Sequence, residues 1–407
     1  MNVAEESGCW PTRRNRALDW LARHSVFEPY IDNLFGGACN LLHEDGVPLD
    51  RATLHLRTLH PQLLGATITW RPGMRDAEIQ FHERGVLQQP RYRNSPVRAL
   101  FEGAEGIRQR LDIDHAVQGP AFDIFADLRS QGFTDYLALP MRFTDGKRHA
   151  SSWATRRPRG FSASDLLTIE EMLPILAMAV EIRLNRRIAK NLLNTYVGPR
   201  AGERILRGEI TRGSGETLHA AIWNSDLRGF TRLSQNWPRD ALIDLLNGYF
   251  DVMADAVNGQ GGEILKFMGD GLLAIFPLDA SGACVRAFRA ARDAIAGMRR
   301  FNAEREARGE QAVGFGIALH RGDVMWGNIG AASRLDFTVI GPAVNITERL
   351  QELAKELGRK ALLSGDFVHS CEHREAALEC LGRCRLRDID EAIEVYAILE
   401  EEGGTAA

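Results

Sequence analysis

The chain has 407 residues, 44% hydrophobic and 26% charged, a composition ordinary for a globular protein of two or three domains. Its formal net charge of −4 gives no reason to expect nucleic acid or an anionic membrane as a partner. No stretch approaches the roughly 20 apolar residues of a membrane span, and the N-terminus lacks the basic and apolar regions of a signal peptide, so we expect a cytoplasmic protein.

Residues 1–186 form a first zone of mixed helices and strands. The segments "RATLHLRTL" and "LLGATITWRPG" predict strands, and "TDYLALPMRFTDGKRHASSWATRRPRGF" predicts a hairpin with Asp-Gly at its turn. The segment "SASDLLTIEEMLPILAMAVEIRLNRRIAKNLLNTYVG" then predicts a long helix. Ser162 or Ser164 is its expected cap, and Pro174 is expected to kink it.

A helical connector follows at residues 187–214, and Gly198-Pro199 is expected to break its helix. Apolar residues at helical spacing, which end with Tyr196 and Val197, form a stripe along it. The stripe is consistent with ordinary packing and equally with a short parallel coiled coil between two chains.

The third zone, residues 215–400, alternates strands and helices and predicts an α/β sandwich. Helices are expected in "PRDALIDLLNGYFDVMADAVNGQGG", "ACVRAFRAARDAIAGMRRFNAER" and "PAVNITERLQELAKEL". A strand is expected in "LHAAIWNSDL", a hairpin in "GGEILKFMGDGLLAIFP", a strand pair in "VGFGIALHRGDVMWGNIG", and further strands in "KALLSGDFV", "CRLRDI" and "EVYAIL".

Two carboxylates stand at the ends of predicted strands in this zone. Asp226 closes "AAIWNSD", and Asp270 lies at the tip of the hairpin, whose apolar strand also carries Lys266. An aspartate in either place alone is commonly a cap or turn former. On neighbouring strands, however, two carboxylates repel unless a cation lies between them, and hard oxygen ligands favour Mg²⁺ or Mn²⁺. Two such ions on two aspartates indicate nucleotidyl or phosphoryl chemistry.

A glycine turn follows the first aspartate in "DLRGFTRLS". After Gly229, the residues Phe230 and Thr231 are expected to begin a helix. Backbone N–H groups at such a helix start favour phosphate oxygens.

Four segments, "SDLRGFT", "GGEILKFMGDGLLAIF", "GIALHRGDVMWGNIG" and "FTVIGPAVNITERL", occur in this order and at intervals that resemble the catalytic domain of the class III nucleotide cyclases, the adenylate and guanylate cyclase superfamily. The resemblance covers residues 215–400, under half of the chain. It implies a ferredoxin-like α/β (α+β) sandwich for this part.

The resemblance implies that Asp226 and Asp270 hold two Mg²⁺ or Mn²⁺ ions per active site. One ion is expected to help activate the ribose 3′-hydroxyl, and the other to grip the triphosphate and stabilise the leaving pyrophosphate. The main chain from Leu227 through Gly229 and Phe230 to Thr231 is expected to cradle phosphates.

The family's purine-selecting lysine falls on Lys266, whose ammonium can donate to adenine N1, an acceptor, whereas guanine N1 carries a hydrogen. The second base-reading position falls on Thr338, seven residues before Asn345. Threonine there resembles the bicarbonate-responsive subgroup, and its hydroxyl can accept from the adenine amino group. Guanylate cyclases typically carry Glu with Cys or a similar small polar residue, so this pair argues for ATP.

The transition-state pair of the family falls on Asn345 and Arg349, four residues apart on one helix face. Asn345 is expected to position the ribose, and Arg349 to neutralise charge on the α-phosphate. Arg387 matches a basic position that touches the terminal phosphates, although relatives more often have Gly where this chain has Asp388.

The implied reaction is attack of the ribose 3′-oxygen on the α-phosphorus, which gives 3′,5′-cyclic AMP and pyrophosphate. In the family, metal ligands come from one chain and base-reading residues from another, so we expect a head-to-tail homodimer with two sites. The alternatives are a cyclase for GTP or a pyrimidine triphosphate, and a catalytically silent nucleotide-binding signalling protein. His320, a tempting base, is assigned to strand packing.

The end of the first zone, "TDYLALPMRFTDGKRHASSWATRRPRGFSASDLLTIEEMLPILAMAVE", resembles the second half of a GAF-type sensor domain. Such domains end with strand, turn, strand and a helix begun near "F-S-x-x-D". We therefore expect a GAF-like α/β domain that senses an unknown small-molecule or protein signal and dimerises the chain, or only dimerises it.

Overall fold

The computed structural model describes residues 15–59, 63–113, 122–278, 282–371 and 378–399. The chain divides into two compact units, Met1–Leu192 and Leu193–Ala407, which are taken in turn below. Among the described helices, none has both the length and the apolar character that crossing a bilayer requires.

The N-terminal unit is built on one six-stranded antiparallel sheet. Its elements are α1 (Arg16–His24), α2 (Ile31–Glu44), β1 (Arg51–Arg57), β2 (Leu63–Trp70), β3 (Glu78–Glu83), α3 (Pro90–Arg93), α4 (Pro96–Phe101), β4 (Ile107–Arg110), α5 (Asp123–Ser130), β5 (Asp135–Arg142), β6 (Arg148–Thr155) and α6 (Ala163–Val197). The strand order is β3-β2-β1-β6-β5-β4.

Alternation along the strands sends side chains to two different layers. On one face, Leu54 and Trp153 pack with Phe35 of α2 and Leu176 of α6. The other face carries a smaller apolar cluster around Tyr136, covered by α4 and α5. The sheet is thus the middle layer of a three-layer unit.

The predicted hairpin and long helix are confirmed in this unit. Strands β5 and β6 pair antiparallel, and α6 begins directly after Ser162. The Ser162 hydroxyl accepts from the Asp165 amide at 3.2 Å, and the Asp165 carboxylate accepts from the Ser162 amide at 2.7 Å. This reciprocal cap explains why the helix starts there. Pro174 lies inside α6 and does not end it.

The C-terminal unit contains an eight-stranded sheet with helices packed on it. Its elements are α7 (Pro199–Leu206), β7 (Gly215–Leu227), α8 (Phe230–Asn236), α9 (Arg239–Gly259), β8 (Glu263–Met268), β9 (Gly271–Pro277), α10 (Ala283–Ala307), β10 (Phe315–Ala331), β11 (Arg334–Ile340), α11 (Pro342–Glu356), β12 (Ala361–Ser364), α12 (Gly365–His369), β13 (Leu378–Cys384) and β14 (Ile393–Ile398). The order is β13-β14-β12-β10-β7-β9-β8, and β11 pairs with β10.

The predicted strand pair in "VGFGIALHRGDVMWGNIG" is wrong, because this segment is the single strand β10. It pairs with β7 along thirteen consecutive residues, from Phe315 to Gly327. Gly322 lies within this ladder. A Cβ on Gly322 would lie 2.5 Å from the Ala343 Cβ of α11, so the glycine serves close helix–strand packing and not chain reversal.

Two further strand predictions need correction. In "KALLSGDFV" the strand ends at Ser364, whose side chain accepts from the Phe367 amide at 3.2 Å and caps α12. In "CRLRDI" the strand ends at Cys384, and the chain then turns through Asp388, which has a φ of 59°. A capping serine and a left-handed residue stop strands that apolar alternation alone extends too far.

Both faces of the β7–β9–β10 region are buried. On one face, Trp223 and Phe276 pack with Tyr249 of α9 and Met298 of α10. On the other, Ile275 of β9 and Trp326 of β10 pack with β11 and α11. Asp226 lies at the end of this covered region, where β7 finishes beside the β8–β9 turn that carries Asp270.

Candidate active site

Two aspartates meet where β7 ends beside the β8–β9 turn. Asp226, the penultimate residue of β7, lies opposite Gly271 in the β7–β9 ladder. The Leu227 amide donates to the Asp270 carbonyl at 3.3 Å, which holds the turn against the strand end. The two carboxyl groups are close enough to perturb each other electrostatically, so the structure brings the predicted metal-binding pair together.

The pair's electrostatics favour a bound cation. Burial and the neighbouring Asp270 carboxyl together raise the pKa of Asp226 to about 7, against the opposing effect of the Lys355 ammonium. In the absence of a metal ion, the pair of carboxyls therefore binds a proton. A pair of carboxylate oxygens that repel each other fits a hard divalent ion, and the two residues could hold Mg²⁺ or Mn²⁺.

The loop after Asp226 presents free backbone donors. Gly229 has a φ of 73°, in the left-handed region, and precedes the first turn of α8. The amides of Phe230 and Thr231 have no hydrogen-bond acceptor within the described parts of the chain. Leu227 is buried and anchors the start of the loop. The loop thus has donors directed outward, as phosphate binding requires.

Arg228 fixes this loop from behind. Its amide donates to the Gly314 carbonyl at 2.8 Å, and its guanidinium donates to the Ala354 carbonyl at 3.1 Å at the end of α11. No role for its side chain was predicted from the sequence. An arginine inside a motif is easily taken for a substrate contact, but here it joins the loop to two other elements.

Lys266 and Thr338 lie on two strands that are connected by an ion pair. The Lys266 ammonium pairs with the Asp336 carboxylate of β11, and both side chains are partly exposed. Asp336 is two residues before Thr338, so both project from the same side of β11. A register shift in β8 between Ile264 and Lys266 changes the alternation near the lysine. No role was predicted for Asp336 from the sequence, although the alternation of side chains along a strand places it on the same side as Thr338.

Asn345 and Arg349 both lie on α11, where Asn345 is exposed and Arg349 half-buried. The Arg349 guanidinium donates to Glu352 at 2.8 Å and to Asp388 at 3.2 Å. Arg387, exposed in the turn after β13, reaches the same Asp388 oxygen at 3.4 Å. The structure therefore brings the two predicted phosphate-binding arginines to one carboxylate.

No hydrogen bond or ion pair among the described residues joins the Asp226–Asp270 pair to Lys266, Asn345 or Arg349. His320 is buried and bonds through Nδ1 to the Ser364 hydroxyl at 2.8 Å, and burial lowers its pKa to about 4. This contact supports the packing role.

Residues 215–400 match the family model of the adenylate and guanylate cyclase catalytic domain. Together with the paired aspartates, this match defines the segment as a class III adenylate and guanylate cyclase catalytic domain.

Individual relatives agree with this match. An adenylate cyclase of Anabaena cylindrica is 31% identical over 218 residues, which cover 52% of this chain and 42% of that protein. An uncharacterized protein of Mycobacterium tuberculosis is 35% identical over 206 residues, which cover 51% of this chain and 37% of that protein. The chain thus spans about two fifths of the length of these curated relatives.

Among solved structures, the adenylyl cyclase CyaB from P. aeruginosa is 28% identical, with a TM-score of 0.42. That comparison covers 47% of this chain and 98% of the solved one.

Proposed function

We propose that the chain is an adenylate cyclase that converts ATP to 3′,5′-cyclic AMP and pyrophosphate. The observation that carries the proposal is the contact between the Asp226 and Asp270 carboxyls at the strand ends, beside the free amides of Phe230 and Thr231. Such an arrangement supports binding of metal ions and phosphates together. The adenylate cyclase of Anabaena cylindrica is consistent with ATP as the substrate.

Asp226 and Asp270 would hold two divalent ions, which lower the pKa of the ribose 3′-hydroxyl and take up charge on the triphosphate when bound. The loop amides of Phe230 and Thr231 bind phosphate oxygens. Asn345 orients the ribose, and Arg349 stabilises negative charge at the α-phosphate. To do so, the Arg349 guanidinium leaves the Asp388 carboxylate and binds the α-phosphate of the substrate.

Base selection falls to Lys266 and Thr338. The lysine donates to adenine N1, and the threonine hydroxyl accepts from the amino group. In the free chain, Asp336 neutralises the lysine, so ATP must displace this exposed pair, at a cost of about 1 kcal/mol or less. A cyclase for GTP or a pyrimidine triphosphate remains the alternative to be tested.

Among the described residues, no hydrogen bond or ion pair joins the two halves of the proposed machinery. This supports a head-to-tail homodimer in which the aspartates of one chain face the Lys266, Asn345 and Arg349 of its partner. The N-terminal unit, on this proposal, dimerises the chain and regulates it in the manner of a GAF-like sensor.

The test is a product assay with ATP, GTP, CTP and UTP, each with Mg²⁺ and with Mn²⁺. We expect cyclic AMP from the wild type and at least a thousandfold less from Asp270→Ala. A cyclic product from another triphosphate alone would replace ATP as substrate. Absence of any cyclic product, both in the full chain and in a version that begins at Leu193, would favour the silent nucleotide-binding alternative.

A further inference from the structure

A cavity of about 610 Å³ lies in the N-terminal unit, over the β1–β2–β3 part of its sheet. The strand residues Arg51, His55 and Thr67 contribute to its wall. The alternate residues of β1, such as Leu54, belong to the apolar core on the opposite face. A buried sheet face is normally apolar, so the polar character of this one needs an explanation.

The floor of the cavity is a continuous chain of hydrogen bonds across four strands. Thr53 Oγ1 lies 2.6 Å from the Ser152 hydroxyl of β6 and 2.9 Å from His55 Nε2. His55 Nδ1 lies 3.0 Å from Thr67 Oγ1 on β2, and this oxygen lies 2.7 Å from His82 Nε2 on β3. Because each group is held by the next, the polar floor is rigid without a ligand.

Both histidines are neutral near pH 7. Burial, together with the positive charge of Arg51, lowers the pKa of His55 to about 3. Burial also lowers the pKa of His82. The floor therefore offers neutral donors and acceptors, and the positive charge of the cavity comes from arginine.

Arg51 differs from the other arginines of the cavity wall. It is half-buried, and the structure gives it no hydrogen-bond or ion-pair partner within the described ranges. Burial lowers the pKa of Arg51, and the positive charge of Arg71 adds to this effect. A guanidinium withdrawn from water carries a desolvation cost that an anion on its five donors would offset.

The other arginines of the wall already have partners. Arg71 lies 3.6 Å from a Glu78 oxygen, and Arg91 pairs with Asp127. Arg57 stacks over the Phe101 ring at 4.1 Å. Asp127 is the single carboxylate among the described residues that line the cavity, so the lining as a whole is cationic.

We propose that this cavity binds a small organic anion, with its carboxylate or phosphate group on Arg51 and its uncharged polar groups against Thr67 and His82. The volume suits a ligand the size of a metabolite. Planar guanidinium binds both carboxylate and phosphate with paired hydrogen bonds. An anion bound here would be the signal for the regulation proposed above. Its binding to the cavity does not depend on cyclase activity.

Isothermal titration of the full chain, with no nucleoside triphosphate present, tests this site. The probes are inorganic phosphate, succinate and the uncharged polyol erythritol. We expect phosphate or succinate to bind with a Kd of about 1 mM, and erythritol not to bind measurably. A heat of binding with phosphate and none with succinate indicates a phosphate ligand. A heat of binding with succinate and none with phosphate indicates a carboxylate ligand.

The matched variants are Arg51→Gln and Arg110→Gln. Arg110 pairs with Asp112 at 2.8 Å and does not line the cavity, so its variant removes the same charge elsewhere in the unit. We expect Arg51→Gln to weaken anion binding at least tenfold and Arg110→Gln to leave it unchanged.

If Arg51→Gln does not fold, Arg51→Lys keeps the charge without the guanidinium fork and is expected to weaken binding about three- to tenfold. Equal affinity in the wild type and the Arg51 variants, or no binding of either anion, would overturn the proposal. Either result leaves the cyclase assay unaffected, because no step of the titration involves catalysis.

Discussion

At Asp226, burial and the neighbouring Asp270 carboxyl act in the same direction on the free energy of the ionised side chain. Both raise the pKa of Asp226, to about 7, so the folded chain binds a proton that the unfolded chain has released. Between about pH 4 and pH 7 the unfolded state therefore gains stability relative to the folded state. The pair is a local cost of the fold when no cation is bound.

Asp226→Asn should remove this cost. In the presence of EDTA, the wild type should lose stability as pH rises from about 4 to 7 and then level off, whereas the variant should not. Allowing for solvent screening at a half-buried site, we expect the variant to be about 1 kcal/mol more stable at pH 8 and nearly equal at pH 4. Urea unfolding at the two pH values measures the difference.

Asp251→Asn is the control, since Asp251 is an exposed aspartate on α9. It should change stability by less than about 0.5 kcal/mol at either pH. If the wild type and Asp226→Asn have the same free energy of unfolding at pH 8, the two carboxyls do not destabilise the metal-free fold.

Asp388 shows how one residue can serve backbone and charge together. Its φ of 59° is a conformation that glycine adopts freely and aspartate tolerates. A glycine here would keep the turn but lose the carboxylate between Arg349 and Arg387. In this chain, the left-handed turn therefore also holds the two arginines, and on the proposed function substrate phosphates would replace this carboxylate.

At the scale of elements, the periodic segments of the C-terminal unit could be predicted from sequence. Helices α9, α10 and α11 and the β8–β9 hairpin follow from apolar spacing and from the turn at Gly269-Asp270. The same patterns placed Asp226 and Asp270 at element ends, which is where the structure has them. Local patterns sufficed because each of these helices has an apolar stripe, and the hairpin has a turn signal between two apolar runs.

The remaining elements depend on contacts that local pattern does not contain. The packing of α11 against Gly322 and the pairing of β11 with β10 both became visible only in the folded structure. Lys266 pairs with Asp336, which is distant in sequence. Arg349 pairs with Asp388, which is also distant and has a left-handed backbone conformation. Long-range packing of this kind decides the detail of the site.

Gly322→Ala tests the close packing of β10 on α11. The added methyl would overlap the Ala343 Cβ, so we expect a loss of about 1–3 kcal/mol in the free energy of unfolding. Because α11 carries Asn345 and Arg349, its displacement should also lower kcat for cyclic AMP formation at least about tenfold. Urea unfolding and steady-state kinetics measure the two effects.

Gly259→Ala is the matched control, because nothing lies within 4 Å of a Cβ built at that position at the end of α9. It should leave both stability and kcat near the wild-type values. If Gly322→Ala behaves like this control, α11 can move away from β10 without disturbing the site.

At the scale of the whole molecule, the β8–β9 hairpin carries its two charged residues to different neighbours. Asp270 contacts Asp226 at the end of β7, whereas Lys266 pairs with Asp336 of β11. On the proposed function, one hairpin thus contributes to two active sites, with the aspartate in its own chain's site and the lysine in the partner's. The expected homodimer would have two such sites related by symmetry.

Mixing inactive chains tests this shared arrangement. Asp226→Ala removes metal binding and Lys266→Ala removes base selection, so each homodimer should be nearly inactive. Co-expression in equal amounts should restore about a quarter of wild-type activity, because half of the dimers are mixed and each mixed dimer has one complete site. Asp226→Ala mixed with Asp270→Ala is the control, since both changes lie in the same half-site and no combination restores it. Recovery in neither mixture would place a complete site within a single chain, whereas recovery confined to the first would show that the hairpin serves two sites.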